Sequence, residues 1–364
     1  MKKVGVLIPQ SKAYPVLGKE FLNGLRLEEN DDYTIIVEGI GMGNDTEAIC
    51  DRLDKLVLQE EISALIGFVG DNNLKLLYEK VNSLEVPTIF VRLGAFPNIE
   101  MENNEYCFSL SLDICDGLFN LGSHVVEKGG KEIAVSGSFN DVGYGLVEVL
   151  ERSIYKAGGQ FAGHYIPPNV PRDNEAEMAS SFYDEVKFDA SIQLYNGVFA
   201  EENIQYIEKL EKNIPEPMYF TPFGFDKSQM QRLKKKVENL FMVAPWVPME
   251  LRQDPTPLDN VYFAKFDKYP TFHAMLGYEA GQLLKEVLPA RKGILENGAS
   301  YNGQSGETKI GSDLIVRLNQ KIWEASEVNG SWTLKENESL TKKENTPVLF
   351  EGQQSGWHNA YLCY

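Results

Sequence analysis

The sequence has no long hydrophobic run. Nothing in its 364 residues approaches the roughly 20 consecutive apolar residues that a membrane-spanning helix needs, so no direct membrane insertion is expected. Lys2-Lys3 is followed by only five apolar or glycine residues before Pro9, too few for the apolar heart of a secretion signal. The expectation is either a cytosolic protein or a mature form whose leader was replaced by Met1. Cysteine is scarce: Cys50, Cys107, Cys115 and Cys363 show no Cys-x-x-Cys spacing, which argues against a disulfide scaffold or a zinc site. Buried free thiols are expected, with one bridge as the alternative in an oxidising compartment. The four histidines, His124, His164, His273 and His358, lie far apart, and none is paired in sequence with an acid or a nucleophile. Phosphate-loop, metalloprotease and serine-hydrolase motifs are absent, so an enzyme is disfavoured. Positive charge is also short: 35 Lys and Arg against 53 Asp and Glu leave a net charge of −18. Phosphate backbones and anionic bilayers repel such a body, so nucleic acid is not an expected partner. The one basic run, Lys234-Lys235-Lys236, reads as a solvated helix face.

What is present is alternation. With 43% hydrophobic and 24% charged residues, the chain can bury two cores, and its length fits about two domains of roughly 100–200 residues each. Short apolar runs at Val4–Ile8, Tyr33–Val37, Ala64–Val69 and Thr88–Val91 read as strands, most ending in a polar or glycine-containing loop. The pattern restarts at Ile133–Val135 and continues through Ala190–Leu194, Met218–Phe220 and Phe241–Val243. Continuous apolar runs of this length mark strands buried on both faces, as in a parallel sheet covered by helices. Helices are expected at Gly18–Glu28, after an Asp45 cap, at Leu74–Leu84, from Asp113, and at Val142–Ala157, Asn203–Lys212, Ser228–Glu238 and Phe272–Val287. Tyr106–Ser111 and Pro245–Pro248 read as crossings between two lobes. The fold class is therefore α/β, two Rossmann-like lobes with a cleft between them, and ligands of such sheets bind at the carboxyl ends of the strands.

Gly39-Ile40-Gly41-Met42-Gly43 has the wrong spacing and follows the second strand, so no cofactor is expected from it. The strand-end loops are better candidates. Asp71, Asn72 and Asn73 precede a helix whose free N–H groups favour an anion or a hydroxyl. Asn140-Asp141 and Gly143-Tyr144-Gly145 play the matching part in the second half, and Tyr195-Asn196, Phe223, Phe225 and Trp246 add aromatic surface. Each alone is an ordinary turn or cap. Together, on one edge of two sheets, they outline a binding surface.

Several segments resemble the type I periplasmic solute-binding proteins, specifically the branched-chain amino-acid-binding group of ABC transporters. Val4-Gly5-Val6-Leu7-Ile8-Pro9 with Gly18 and Asn23-Gly24, Ala64-Leu65-Ile66-Gly67, Val86-Pro87-Thr88-Ile89, Phe108-Ser109, Asp141-Val142-Gly143-Tyr144-Gly145, Tyr278-Glu279-Ala280 and Tyr301–Gly306 carry the resemblance in order. It implies two lobes joined by three hinge crossovers, 1–110 plus 248–312 and 111–247 plus 313–364. It also implies a periplasmic location, a small-molecule ligand (amino-acid-like, amide or aromatic) and an ABC transporter permease as partner. The ligand-facing set it implies is Leu17, Asp71, Asn72, Ala95, Phe96, Asn140, Tyr144, Tyr195, Asn196, Phe223 and Trp246. The family's carboxylate-binding serine and threonine appear here as Asp71 and Phe96, and Phe223 stands where an acid faces the ligand ammonium. That dismantles the amino-acid clamp, although Tyr144 is retained and Asp226 partly compensates if the loop register shifts. The expected ligand is a neutral or cationic, partly aromatic or hydroxylated molecule, stacked on Phe96, Tyr144, Phe223 or Trp246 and hydrogen-bonded by Asp71 and Asn72. The plainer alternative for Asp71 is a cap on its own helix. A ligand-sensing regulator or receptor domain of the same fold is the alternative function.

Overall fold

A computed structural model describes residues 2–27, 33–71, 74–99, 101, 104–212, 214–340 and 357–364. The first lobe opens with β1 (Lys2–Ile8), α1 (Leu17–Leu25), β2 (Tyr33–Gly39), α2 (Thr46–Asp54), β3 (Ala64–Phe68), α3 (Leu74–Ser83), β4 (Thr88–Arg92) and β5 (Cys107–Ser111). Every residue of β3, β4 and β5 is buried, which is why these runs show no polar alternation. The second lobe follows as α4 (Ile114–Glu127), β6 (Glu132–Gly137), α5 (Leu146–Lys156), β7 (Gln160–Tyr165), α6 (Glu175–Glu185), β8 (Ala190–Leu194), α7 (Val198–Lys209), β9 (Met218–Phe220), α8 (Lys227–Leu233) and β10 (Leu240–Ala244). The chain then returns to the first lobe with α9 (Pro257–Phe266), α10 (Phe272–Gln282), α11 (Arg291–Asn297), a hairpin of β11 (Ala299–Gly303) and β12 (Gly306–Ile310), and β13 (Ile315–Arg317). It ends the regular structure in the second lobe with β14 (Lys321–Val328) and β15 (Ser331–Ser339).

The first sheet has the order β13-β5-β4-β3-β1-β2 and is parallel throughout. The second runs β15-β14-β10-β9-β8-β6-β7, parallel except for the closing hairpin. Asp45 caps α2 as expected, accepting the Ala48 N–H at 3.0 Å. Asn329 and Gly330 turn the β14–β15 hairpin with φ of 52° and 76°, the left-handed pair that an Asn-Gly turn supplies. Helices α1 and α10 cross backbone to backbone. A Cβ on Gly24 would lie 1.9 Å from the Ala274 carbonyl oxygen, and one on Gly277 2.0 Å from that of Phe21.

Three sequence expectations are revised. Tyr106–Ser111 is not a crossing: its last five residues are β5, hydrogen-bonded between β4 and β13. A central strand and an extended linker look alike when every side chain is apolar or small. The crossing follows at Leu112–Asp113. Second, Ile315–Arg317 joins the first sheet beside β5, so sheet membership departs from the 312/313 and 110/111 boundaries. Third, β7, α6, α9, α11, β11 and β12 went unanticipated. Strand β7 is an edge with mostly half-exposed side chains, and α9 starts behind a proline-rich loop, capped by Thr256 with Pro257 in its first turn. The crossings lie at Leu112–Asp113, Pro245–Pro248 and Leu318–Gln320, and Gln320 Nε2 donates to the Leu112 carbonyl at 3.0 Å, tying the first to the third. All four cysteines are free thiols. Among the described residues no helix is long and apolar enough to cross a membrane.

Candidate functional site

The lobes meet at the carboxyl ends of their strands. The floor on the first side is ionic. Arg92 ends β4, is 1% exposed, and pairs with the Asp71 carboxylate at the end of β3. It also donates to Ser109 Oγ at 2.9 Å and to the Asn98 side-chain oxygen. Asn98 Nδ2 in turn donates to Asp113 at 2.8 Å. Burial raises the Asp71 carboxyl, against Arg92 and the amide N–H groups of Phe96 and Ala95. Asp71 thus holds the 94–98 loop in place. That loop reaches the second lobe twice: the Ala95 carbonyl accepts the Gly145 N–H at 3.0 Å, and Phe96 packs edge-on against Tyr144 with ring centroids 5.9 Å apart.

On the second side the hub is Asp141, fully buried after β6. Its Oδ2 accepts Ser138 Oγ at 2.6 Å and the Asn196 N–H at 3.0 Å. Its Oδ1 accepts Asn196 Nδ2 at 3.2 Å and the Tyr361 hydroxyl at 2.6 Å. Burial pushes this carboxyl up to about 6, against the hydrogen bonds from Ser138, Tyr361 and Asn196. Asn196 Nδ2 also donates to the Tyr361 oxygen at 2.7 Å, and its own carbonyl accepts Thr221 Oγ1 at 2.6 Å. Tyr361 belongs to the segment Trp357–Tyr364, which lies between the lobes. Its ring meets Tyr144 edge-on, 4.8 Å between centroids.

Beside this cluster an aromatic layer spans the lobes. Phe223 of the second lobe contacts Tyr14, Phe272 and His273 of the first at 5.6, 5.0 and 5.4 Å. Trp246, at the second crossing, meets Phe272 at 5.7 Å. Burial alone lowers His273 from 6.5 to about 4, so its ring is neutral, and its Nε2 and the Trp246 Nε1 have no hydrogen-bond partner. Tyr14, Phe223, Phe272 and His273 line an inter-lobe cavity of about 320 Å³ whose rim carries Glu20, Asp226 and Glu250. An enclosure of rings and acids can stack a flat molecule and hydrogen-bond hydroxyl or amino groups, but it repels a carboxylate.

A sequence profile of periplasmic binding proteins matches residues 2–298. The chain belongs to the periplasmic binding protein family. No curated protein matches the sequence. Among solved structures, an ABC-transporter solute-binding protein from R. palustris in complex with 4-hydroxybenzoate is 14% identical, covering 96% of this chain and 98% of that one with a TM-score of 0.71. A second R. palustris solute-binding protein, in complex with benzoate, is 17% identical over 95% and 98% of the two chains, TM-score 0.69. A branched-chain amino acid transporter substrate-binding protein from Streptococcus pneumoniae, in complex with isoleucine, is 15% identical over 93% and 100%, TM-score 0.64. The fold is that of the type I periplasmic binding proteins of ABC transporters.

In this periplasmic binding protein the expected ligand-facing residues divide into groups. Tyr144 and Asn196 meet Tyr361, Phe96 packs on Tyr144, Ala95 accepts from Gly145, and Phe223 and Trp246 sit in the aromatic layer. Asp71 is buried, paired with Arg92 and bonded by the amides of Ala95 and Phe96. Tyr195 is 1% exposed and bonds Ser136 Oγ at 2.7 Å behind the sheet edge. Asn140 turns away to Asn169 at 3.2 Å, and Leu17, the first residue of α1, is a core residue. Asn72 lies outside the described residues. Asp226 caps α8, its carboxylate accepting the Gln229 N–H at 2.8 Å. Sequence reasoning passed over Arg92, Tyr14, His273 and Tyr361. Only Arg92 left a signal there, a cation at the carboxyl end of a buried strand.

Proposed function

We propose that the protein is the solute-binding component of an ABC importer and captures, between its lobes, a phenol or related flat molecule with a neutral or cationic substituent. The observation that carries this reading is the seat of the Tyr361 phenol, whose hydroxyl meets Asp141 and Asn196 while its ring lies edge-on to Tyr144. A free solute with the same group finds the same partners. The likeness to proteins crystallised with benzoates supports an aromatic solute. The carboxylate of a benzoate has no counterpart here, because the buried cation of the floor, Arg92, is already neutralised by Asp71. The same argument counts against a standard branched-chain amino acid. Closure by hinge motion at the crossings, an extracytoplasmic location and delivery to a membrane permease complete the proposal, without catalysis.

Thermal-shift and calorimetric titration of the full chain tests it with tyramine, 4-methylphenol, 4-hydroxybenzoate and isoleucine, since a bound solute raises apparent stability by mass action. Tyramine and 4-methylphenol are expected to shift the melting temperature. Tighter binding of 4-hydroxybenzoate or isoleucine than of either would overturn the ligand class.

A further inference from the structure

The segment Trp357–Tyr364 touches both lobes at the strand ends where solutes bind in folds of this type. On the first lobe, the Ala360 N–H donates to the Met42 carbonyl at 2.9 Å, the Ser11 hydroxyl to that of Leu362 at 2.5 Å, and the Lys12 N–H to that of Tyr364 at 3.0 Å. On the second, the Trp357 N–H donates to the Gly143 carbonyl at 2.9 Å, and Tyr361 reaches Asp141 and Asn196. Rings add to this: Trp357 meets Phe139 at 5.6 Å and Tyr364 meets Phe199 at 5.4 Å. Leu362 and Cys363 have no exposed surface at all. The cleft is shaped for the segment, since any Cβ at Gly143 would lie 1.6 Å from the Trp357 indole nitrogen.

We infer that Trp357–Tyr364 is a resident ligand of the protein's own cleft, with Tyr361 in the place of a solute's phenol, so that solute enters only by expelling it. The competition part of this rests on the function proposed above; the occupancy does not. The segment is part of the same chain as the cleft it fills, and a tethered ligand competes at a high effective concentration. Uptake is then gated by how strongly a solute outbids an intramolecular rival, which sets a threshold concentration below which the cleft stays closed on itself.

Cys363 reports the state of the segment. The thiolate is the reactive form of cysteine, and burial pushes this thiol up to about 12. Alkylation of the full chain with N-ethylmaleimide, mapped cysteine by cysteine by mass spectrometry, should find Cys363 protected by about 100-fold or more relative to the denatured chain. Tyr361→Ala, and independently Gly143→Ala, should raise its rate by about tenfold or more, while Cys107 and Cys115 stay protected and certify folding. Protection should not depend on protein concentration. Cys363 reacting in the parent as fast as in the denatured chain overturns the inference, and so does a concentration dependence, which would assign the occupant to a second copy. Tyramine accelerating Cys363 in the parent supports competition. A solute that shifts the melting temperature without moving the Cys363 rate overturns it. Release by Tyr361→Ala with no response to any solute leaves the resident segment standing and removes the proposed ligand class.

Discussion

The Asp71–Arg92 pair decides whether the cleft floor is scaffold or ligand contact. The two side chains are 4% and 1% exposed, so neither charge has water to fall back on. Arg92→Met leaves the Asp71 carboxylate with only backbone amides, and Asp71→Asn leaves a buried guanidinium without its counter-charge. Breaking one side of a buried pair costs about 3–5 kcal/mol, and the accompanying loss of the Arg92 bonds to Ser109 and Asn98 places Arg92→Met toward the upper end. Replacing both partners with apolar groups removes the desolvation problem itself, so Asp71→Leu with Arg92→Met should regain most of the loss and fall within about 2 kcal/mol of the parent. Urea unfolding at neutral pH, without any solute, measures all three variants. The expected signature is two large single effects and a double variant far less impaired than their sum. The reasoning fails if either single change costs under about 1 kcal/mol, the range of a solvent-exposed pair. It fails equally if the two losses add.

The remaining predictions concern pH and packing. His273 is held at about 4 against an ordinary 6.5. A depressed folded-state value contributes stability above the unfolded value that is lost as pH falls, so between pH 7 and 4.5 the loss is about 2 kcal/mol. His273→Phe should remove that loss, and its urea midpoint should gain on the parent's as the buffer is acidified. Asp141, raised to about 6, acts with the opposite sign. Its penalty is present above that pH and is relieved on acidification toward 3.8, so Asp141→Asn should flatten an acid-side gain in stability. In the α1–α10 crossing, Gly277→Ala forces a methyl into the Phe21 carbonyl and should cost about 1–3 kcal/mol. Gly293→Ala, with nothing within 4 Å of its new methyl, should instead stabilise α11 by about 0.5–1 kcal/mol.

The two-lobe organisation was legible because its signal is local. Ala64–Phe68 and the Ile89–Val91 stretch of β4 are buried on both faces, which makes them continuous apolar runs. The Asp45 cap was readable for the same reason, being set by a few neighbouring residues. The site was legible only in part. Asn196 lies two residues after β8 and Tyr144 in the loop that joins β6 to α5, so topology brings both to the strand ends. Asp71 does so too, but its role depends on Arg92, 21 positions away in sequence, and no periodicity encodes such a pairing. His273 and Tyr14 meet Phe223 only after the chain has crossed between the lobes. Tyr361 lies 220 residues from Asp141, in a stretch with no strand or helix of its own.

The floor of the cleft and the hinge are one hydrogen-bonded chain. Asp71 holds the amides of Ala95 and Phe96, Arg92 joins Asp71 to Asn98, and Asn98 joins Asp113. Asp113 sits at the first crossing in the left-handed region, φ 54°, and the carbonyl of its neighbour Leu112 accepts Gln320 from the third. An occupant pressing on Tyr144 therefore presses, through Phe96, on a loop pinned at the hinge. The Ala95–Gly145 bond between the lobes lies on that same loop. The Tyr361 ring beside Tyr144 is linked to the crossings by the Tyr144–Phe96 ring contact and the polar contacts behind it. Occupancy and closure are for that reason expected to be coupled. A segment that makes the contacts proposed for the solute at Tyr144, Asp141 and Asn196 is expected to favour the closed state as well.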